Sequence, residues 1–259
     1  MRWIVKIGTS SVCGSDARLS QKKINAFIKQ VRALISGGHQ ILVVTSGAVG
    51  AGIGAIGKGP HDVTDKQALA AIGQARLMAA YQRALDPIVA GQVLLTRQDL
   101  EDADRRQASR RTLERVLQWG AIPVINENDT VTDAELRIGD NDTLAARVAV
   151  LVAADRLVIL SDIDGLYTDN PKTHPDALRI DAVPWVTASD MERYSREDRG
   201  GLGTGGMLTK LEAARIAQEA GIGMVLASSQ EPDVLEKIDR IENWQGGTRF
   251  LAKRGIVRA

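Results

Sequence analysis

The chain has 259 residues, 44% of them apolar, and a formal charge of +1. That balance excludes a protein that coats nucleic acid, which would carry a marked basic excess, and no run of about 18 apolar residues is present to span a membrane. Aromatic residues are only 3%, so the core must be aliphatic, while a single cysteine, Cys13, excludes an internal disulfide and, with an N-terminal apolar run too short for a signal peptide, leads us to expect a cytoplasmic protein.

Short β-branched runs alternate with longer helical patterns along the chain. Arg2–Ile7 reads as a strand. Ser20–Ser36 reads as a helix, with Ser20 as N-cap, apolar Ile24, Phe27, Ile28, Val31, Leu34 and Ile35 at helical spacing, and Gly37-Gly38 to end it. Gln40–Thr45 is a strand and Asp65–Leu85 a long alanine-rich helix. Val89–Leu95 is a strand, Ser109–Trp119 a helix, and Ile122–Asn126 a strand followed by a polar loop to Asp142. Thr143–Val152 is a helix and Arg156–Ser161 a strand. Ile163–Leu202 reads as irregular, with a short strand at Ile180–Val186. Leu208–Ala220 is a helix and Met224–Ala227 a strand. Buried strands separated by helices predict a single α/β domain: a three-layer α/β/α sandwich around a mainly parallel sheet.

In such sheets ligands bind beyond the carboxyl ends of the strands. Here those ends carry Gly8-Thr9-Ser10-Ser11, Ser46-Gly47-Ala48, Glu127-Asn128-Asp129 and Ser161-Asp162-Ile163-Asp164-Gly165. The turn Gly203-Thr204-Gly205-Gly206-Met207-Leu208-Thr209-Lys210 delivers a lysine onto the first turn of a helix. Glycine backbone approaches a phosphate closely, and a helix N-terminus favours negative charge. A second lysine, Lys6, stands in the first strand, where an apolar residue would normally pack. Either that strand lies at an edge with Lys6 in solvent, or Lys6 points at a phosphate. Asn126-Glu127-Asn128-Asp129 together with Gly139-Asp140-Asn141-Asp142 forms an acidic and amide patch suited to an ammonium group, to lysines or to Mg²⁺.

Other features carry less. Gly52-x-Gly54-x-x-Gly57 lies too far beyond its strand for a dinucleotide fingerprint, and reads instead as a mobile substrate loop or helix N-terminus. The basic run Asp104–Arg111 reads as a solvated helix face or an oligomer contact. The three histidines have no metal-ligand spacing, and Cys13 receives no catalytic role.

The motifs Val5–Ser10, Val44–Ala48, Val124–Asp129, Gly139–Asp142, Leu160–Tyr167 and Gly203–Lys210 occur in an order that resembles the glutamate 5-kinases of the amino acid kinase superfamily, over about residues 2–250. The resemblance implies ATP-dependent phosphorylation of the γ-carboxylate of L-glutamate, the first step of proline biosynthesis. It implies that Lys6 and Lys210 flank the phosphoryl group and that Asp142 holds both. Gly8 and Gly47 would offer backbone N–H groups. Ser46, Asp129 and Asn141, with Asn126 and Gly47, would grip glutamate. ATP would contact Lys6, Gly8, Ser161, Asp162 and the loop Thr204, Gly205, Gly206, Met207, Leu208, Thr209 and Lys210, with Mg²⁺ on its own oxygens. Residues 1–150 would form the glutamate half and 151–259 the ATP half.

The resemblance further implies a homo-oligomer (dimer or tetramer), proline as feedback inhibitor, and a glutamyl phosphate reductase as functional partner. Many members carry a C-terminal PUA domain; the sequence shows none, which leaves that domain's part in assembly and regulation outside the expectation. A sister kinase for another acid, a non-catalytic amino-acid sensor and a dinucleotide-dependent oxidoreductase are the competing readings. The specific loops around Asn126–Asp129 and Gly139–Asp142 argue against the first. Retention of Lys6, Asp142 and Lys210 argues against the second, and the third rests on the glycine spacing alone.

Overall fold

The computed structural model describes the chain except residues 15, 17, 132–140, 172, 198–205, 242–243 and 253–259. The first elements are strand β1 (Arg2–Ile7), the single turn α1 (Thr9–Val12), helix α2 (Gln21–Ser36), strand β2 (Gln40–Thr45) and two successive helices, α3 (Ala48–Ile56) and α4 (Val63–Leu85). There follow β3 (Ala90–Leu95), α5 (Arg97–Glu101), α6 (Ala103–Gln118), β4 (Ile122–Glu127), α7 (Asn141–Leu151) and β5 (Arg156–Ser161). The remainder comprises β6 (Leu166–Tyr167), β7 (Arg179–Ile180), β8 (Ala182–Val183), α8 (Ala188–Glu197), α9 (Met207–Glu219), β9 (Gly223–Ser228), α10 (Val234–Arg240) and β10 (Gly247–Phe250).

Eight strands form one sheet in the order β3-β4-β2-β1-β5-β9-β10-β8. Its pairings are parallel except β10 against β9. β6 and β7 pair separately and antiparallel. Side chains of one strand alternate between the two faces. On β1, Trp3, Val5 and Ile7 join one apolar layer with Phe27 of α2, Leu77 of α4 and Ile238 of α10. Ile4 joins the other, with Val148 of α7 and Leu211 of α9. Both layers are predominantly aliphatic, and the sheet lies between them, as a central parallel sheet requires.

β1 lies in the middle of the sheet, with Lys6 registered between Val44 of β2 and Ile159 of β5. The edge-strand alternative for Lys6 is therefore excluded. By parity Lys6 shares the face of Ile4 and projects toward α7 and α9.

Several boundaries moved. Helix α6 begins at Ala103 rather than Ser109, because Asp102 caps it by accepting the Arg105 N–H. Its first turns are charged and carry little apolar periodicity, which hid them. The segment expected as a mobile loop or helix N-terminus is helix α3, starting at Ala48. Its glycines serve packing: a Cβ on Gly52 would sit 2.0 Å from the Leu69 carbonyl oxygen, and one on Gly73 would sit 1.8 Å from that of Ala48. The two helices thus touch backbone to backbone. The stretch expected as one short strand at Ile180–Val186 is split into β7 and β8, and α8 follows in the region read as irregular.

Candidate active site

Three of the predicted residues meet in one buried ion cluster. Asp142, in the first turn of α7, has no solvent exposure. Its Oδ1 lies 2.5 Å from the Lys6 ammonium and its Oδ2 3.1 Å from that of Lys210. Lys6 is 5% exposed and Lys210 3%. Thr209 adds a hydroxyl that donates to Asp142 Oδ2 at 3.3 Å. Burial alone would raise the Asp142 carboxyl pKa. The charges and hydrogen bonds of Lys6 and Lys210 outweigh it and hold the group below the ordinary carboxylate range. The result is a carboxylate fixed between two ammonium groups, with one net positive charge at the sheet rim.

The loops around this cluster are shaped by backbone needs. Gly8 follows β1 directly, and a Cβ there would stand 3.7 Å from the Lys6 ammonium, so its backbone adjoins that charge. Gly47 has φ +105°, a region that L side chains rarely adopt, and a Cβ would press to 2.8 Å on Val12. It caps α3 and leaves that helix's first N–H groups at the strand end. Gly206 caps α9, whose first turn carries Met207, Leu208, Thr209 and Lys210.

On the side of β2 and β4, an amide network connects the predicted acceptor residues. The Asn141 side-chain NH₂ lies within hydrogen-bond distance of Ser46 Oγ (2.7 Å), the Thr45 carbonyl (3.0 Å) and Asn126 Oδ1 (3.1 Å). Asn126 in turn donates to Gln74 Oε1 of α4 at 3.0 Å. Asp129 sits half-buried on the turn that leaves β4. On the side of β5 and β9 lies a cleft of about 610 Å³, lined among others by Asp162, Asp164, Tyr167, Tyr194, Gly206, Met207 and Lys210. Ser161 closes β5 and donates to Asp162 Oδ1 at 3.0 Å. Lys210 thus belongs both to the ion cluster and to the cleft. Thr204 and Gly205, like Gly139 and Asp140, lie outside the described residues.

The family model described as the amino acid kinase family matches residues 1–228. A glutamate 5-kinase of Symbiobacterium thermophilum is 50% identical over 242 residues, 92% of this chain and 91% of that one. The glutamate 5-kinase of Neisseria meningitidis serogroup A is 46% identical over 261 residues, 99% of this chain and 70% of that one. The chain belongs to the glutamate 5-kinases of the amino acid kinase family. The fold of this family is found again at low identity: the Ureaplasma parvum UMP kinase structure has a TM-score of 0.64 at 13% identity, covering 96% of this chain and 98% of its own. An isopentenyl phosphate kinase from T. acidophilum has a TM-score of 0.64 at 17% identity, covering 96% of this chain and all of its own (100%).

Some features of this family member were not singled out from sequence. Gln74 sits in an alanine-rich helix and reads as a surface residue there, yet it is 7% exposed and tied to Asn126. Tyr194 comes from α8, in the stretch read as irregular, and its hydroxyl donates to the Tyr167 carbonyl across the cleft wall. No local pattern marks either. A larger groove of about 740 Å³ lies away from the strand ends, between α6, α7 and α9, and contains Arg106, Arg110, Arg147 and Arg215. Arg110, Arg147 and Arg215 are matched by Glu114, Glu101, Glu212 and Glu219, which makes this face an ion-pair network rather than an anion trap. Cys13 is buried, and its thiol is pushed up to about 11 by desolvation, which leaves it protonated and unreactive. Among the described residues no helix is long and apolar enough to cross a membrane.

Proposed function

We propose that the chain transfers the γ-phosphoryl group of ATP to the γ-carboxylate of L-glutamate, giving L-glutamyl 5-phosphate. The observation that carries this reading is the buried Lys6–Asp142–Lys210 cluster. It adjoins an amide network (Ser46, Asn126, Asn141) on one side and a cleft whose size suits a nucleotide on the other. The first half of the chain supplies the acceptor pocket and the second half the nucleotide cleft.

The chemistry asks little of the side chains. A γ-carboxylate, with an ordinary pKa of about 4.3, is already an ionised nucleophile at neutral pH, so no general base is required. What is required is that two anions be held in line and the charge on the transferring group be neutralised. Lys6 and Lys210 provide that charge, and Asp142 fixes their positions while cancelling part of their mutual repulsion. Backbone N–H groups at Gly8 and Gly47 would receive phosphoryl oxygens. Asp129 pairs with the α-ammonium of glutamate, and Ser46 and Asn141 hold the rest of its α-amino-acid end. Ser161, Asp162 and the segment 204–210 receive ATP. Mg²⁺ would ride on the oxygens of ATP, and Asp162 gives this cleft a carboxylate compatible with a hard cation. When bound it would neutralise phosphate charge.

The test is an ADP-release assay with L-glutamate, with hydroxylamine present to trap the acyl phosphate as a hydroxamate. Glutamate-dependent ADP and hydroxamate in equal amounts support the reading. ADP release that ignores glutamate but responds to aspartate, acetylglutamate, carbamate or UMP would reassign the substrate.

A further inference from the structure

We infer that Gln74, on helix α4, is a positioning residue that sets substrate affinity by fixing the orientation of the Asn141 amide through Asn126. The inference rests on the glutamate-kinase reading of the same pocket.

The argument is one of donors and acceptors. Asn126 Oδ1 is already engaged: it accepts the Glu127 backbone N–H at 2.9 Å and faces the Asn141 NH₂ at 3.1 Å. That fixes which end of the Asn126 amide is oxygen, and its NH₂ must point the other way, to Gln74 Oε1 at 3.0 Å. The Asn141 NH₂ then faces three acceptors, from Asn126, Ser46 and Thr45. Its own oxygen is left buried, with no hydrogen-bond partner among the described residues. A buried amide oxygen in that state is an acceptor waiting for a donor, and an ammonium group supplies one. If Gln74 lost its oxygen, the Asn126 amide could turn. Its NH₂ would then confront the Asn141 NH₂, donor against donor, and the Asn141 oxygen would lose its fixed direction.

The scaffold makes this chain of amides stiff. Gly73, the residue before Gln74, is pressed against the Ala48 carbonyl and the Gly52 nitrogen of α3. α3 starts at the Gly47 cap, one residue beyond Ser46. Helix α4 therefore cannot shift without moving the same loop that Asn141 holds. The Gln74 NH₂ is itself buried without a partner among the described residues, so the packing of α4, not that group, orients the side chain.

The experiment is a double-mutant cycle read in steady-state kinetics, with Gln74→Met, Asn141→Ala and the double variant. Gln74→Met is expected to raise KM for glutamate about tenfold while KM for ATP changes less than twofold. In the Asn141→Ala background the same substitution is expected to add less than twofold, because its route of action is gone. Equal effects in both backgrounds, or a parallel rise in KM for ATP, would overturn the inference. Should Gln74→Met not yield folded protein, Gln74→Ala, which also removes the accepting oxygen, carries the same cycle. The wild-type control separates this outcome from the wider reading: absence of glutamate-dependent ADP release there would remove the substrate assignment itself.

Discussion

At the scale of single residues, the site is a balance of two buried ammonium groups against one carboxylate. Lys210 lines the cleft beside β5 as well as pairing with Asp142, so on the proposed reading its charge would act on the transferring group. Lys210→Ala is expected to lower kcat about 10²–10³-fold, with a smaller change in KM for ATP; near wild-type kcat would remove it from the chemistry. Asp129→Ala should instead raise KM for glutamate and spare that for ATP, since it would lose ground-state contacts only. Initial rates over both substrates distinguish the two patterns. Asp142→Asn removes the carboxylate that Lys6 and Lys210 share, and should destabilise the fold by about 3–5 kcal/mol, measured by urea unfolding. The wild-type carboxyl is depressed in the folded state. Its contribution is thus fully present above its unfolded value near pH 4 and is lost as the pH falls through the folded value. In Asp142→Asn that part of the acid dependence should be absent.

Helices α3 and α4 illustrate how an element can be dictated by contact rather than by propensity. Glycine within a helix costs about 0.5–1 kcal/mol relative to alanine, yet Gly52 and Gly73 both stand in helices here. The close backbone approach explains them. Gly73→Ala would place a methyl group 1.8 Å from a carbonyl oxygen, and backbone cannot yield as a side-chain end would. The variant should lose about 1–3 kcal/mol despite the better helix former, seen as a lower unfolding midpoint. Because α3 begins two residues beyond Ser46, a rise in KM for glutamate should accompany it on the proposed reading. A stabilised Gly73→Ala protein would show that the helices are not in this contact.

For the whole molecule, the proposed acceptor and nucleotide sides would meet at one sheet rim and so be addressed by different ligands. Proline shares the α-carboxylate and α-nitrogen of glutamate and lacks the γ-carboxylate. The pocket of Ser46, Asp129 and Asn141 could hold that shared end while the side facing Lys6 stays empty. Inhibition by proline is then expected to be relieved by glutamate and unaffected by ATP, as rates over a grid of proline, glutamate and ATP would show. Inhibition that glutamate cannot relieve would place proline at a separate site.

The local signals in the sequence were enough for the sandwich and for several of the residues that meet at the sheet rim. Alternating β-branched runs marked the strands. The Ser20 cap and its apolar spacing marked α2, and polar groups after the strands marked the rim. These are short-range patterns, and they survive folding because burial on both faces of a parallel sheet demands them. What lay beyond reach depends on partners distant in the chain. Lys6 could not be told from a solvated edge lysine until β1 was seen between β2 and β5. The role of the glycines in α3 needed Leu69 and Gly73 to be pressed against them. Gln74 lies 52 positions from Asn126, with nothing local to set it apart from its exposed helical neighbours. Tertiary structure decided these points because a buried polar group takes its meaning from the one partner that satisfies it, and sequence spacing does not encode that partner.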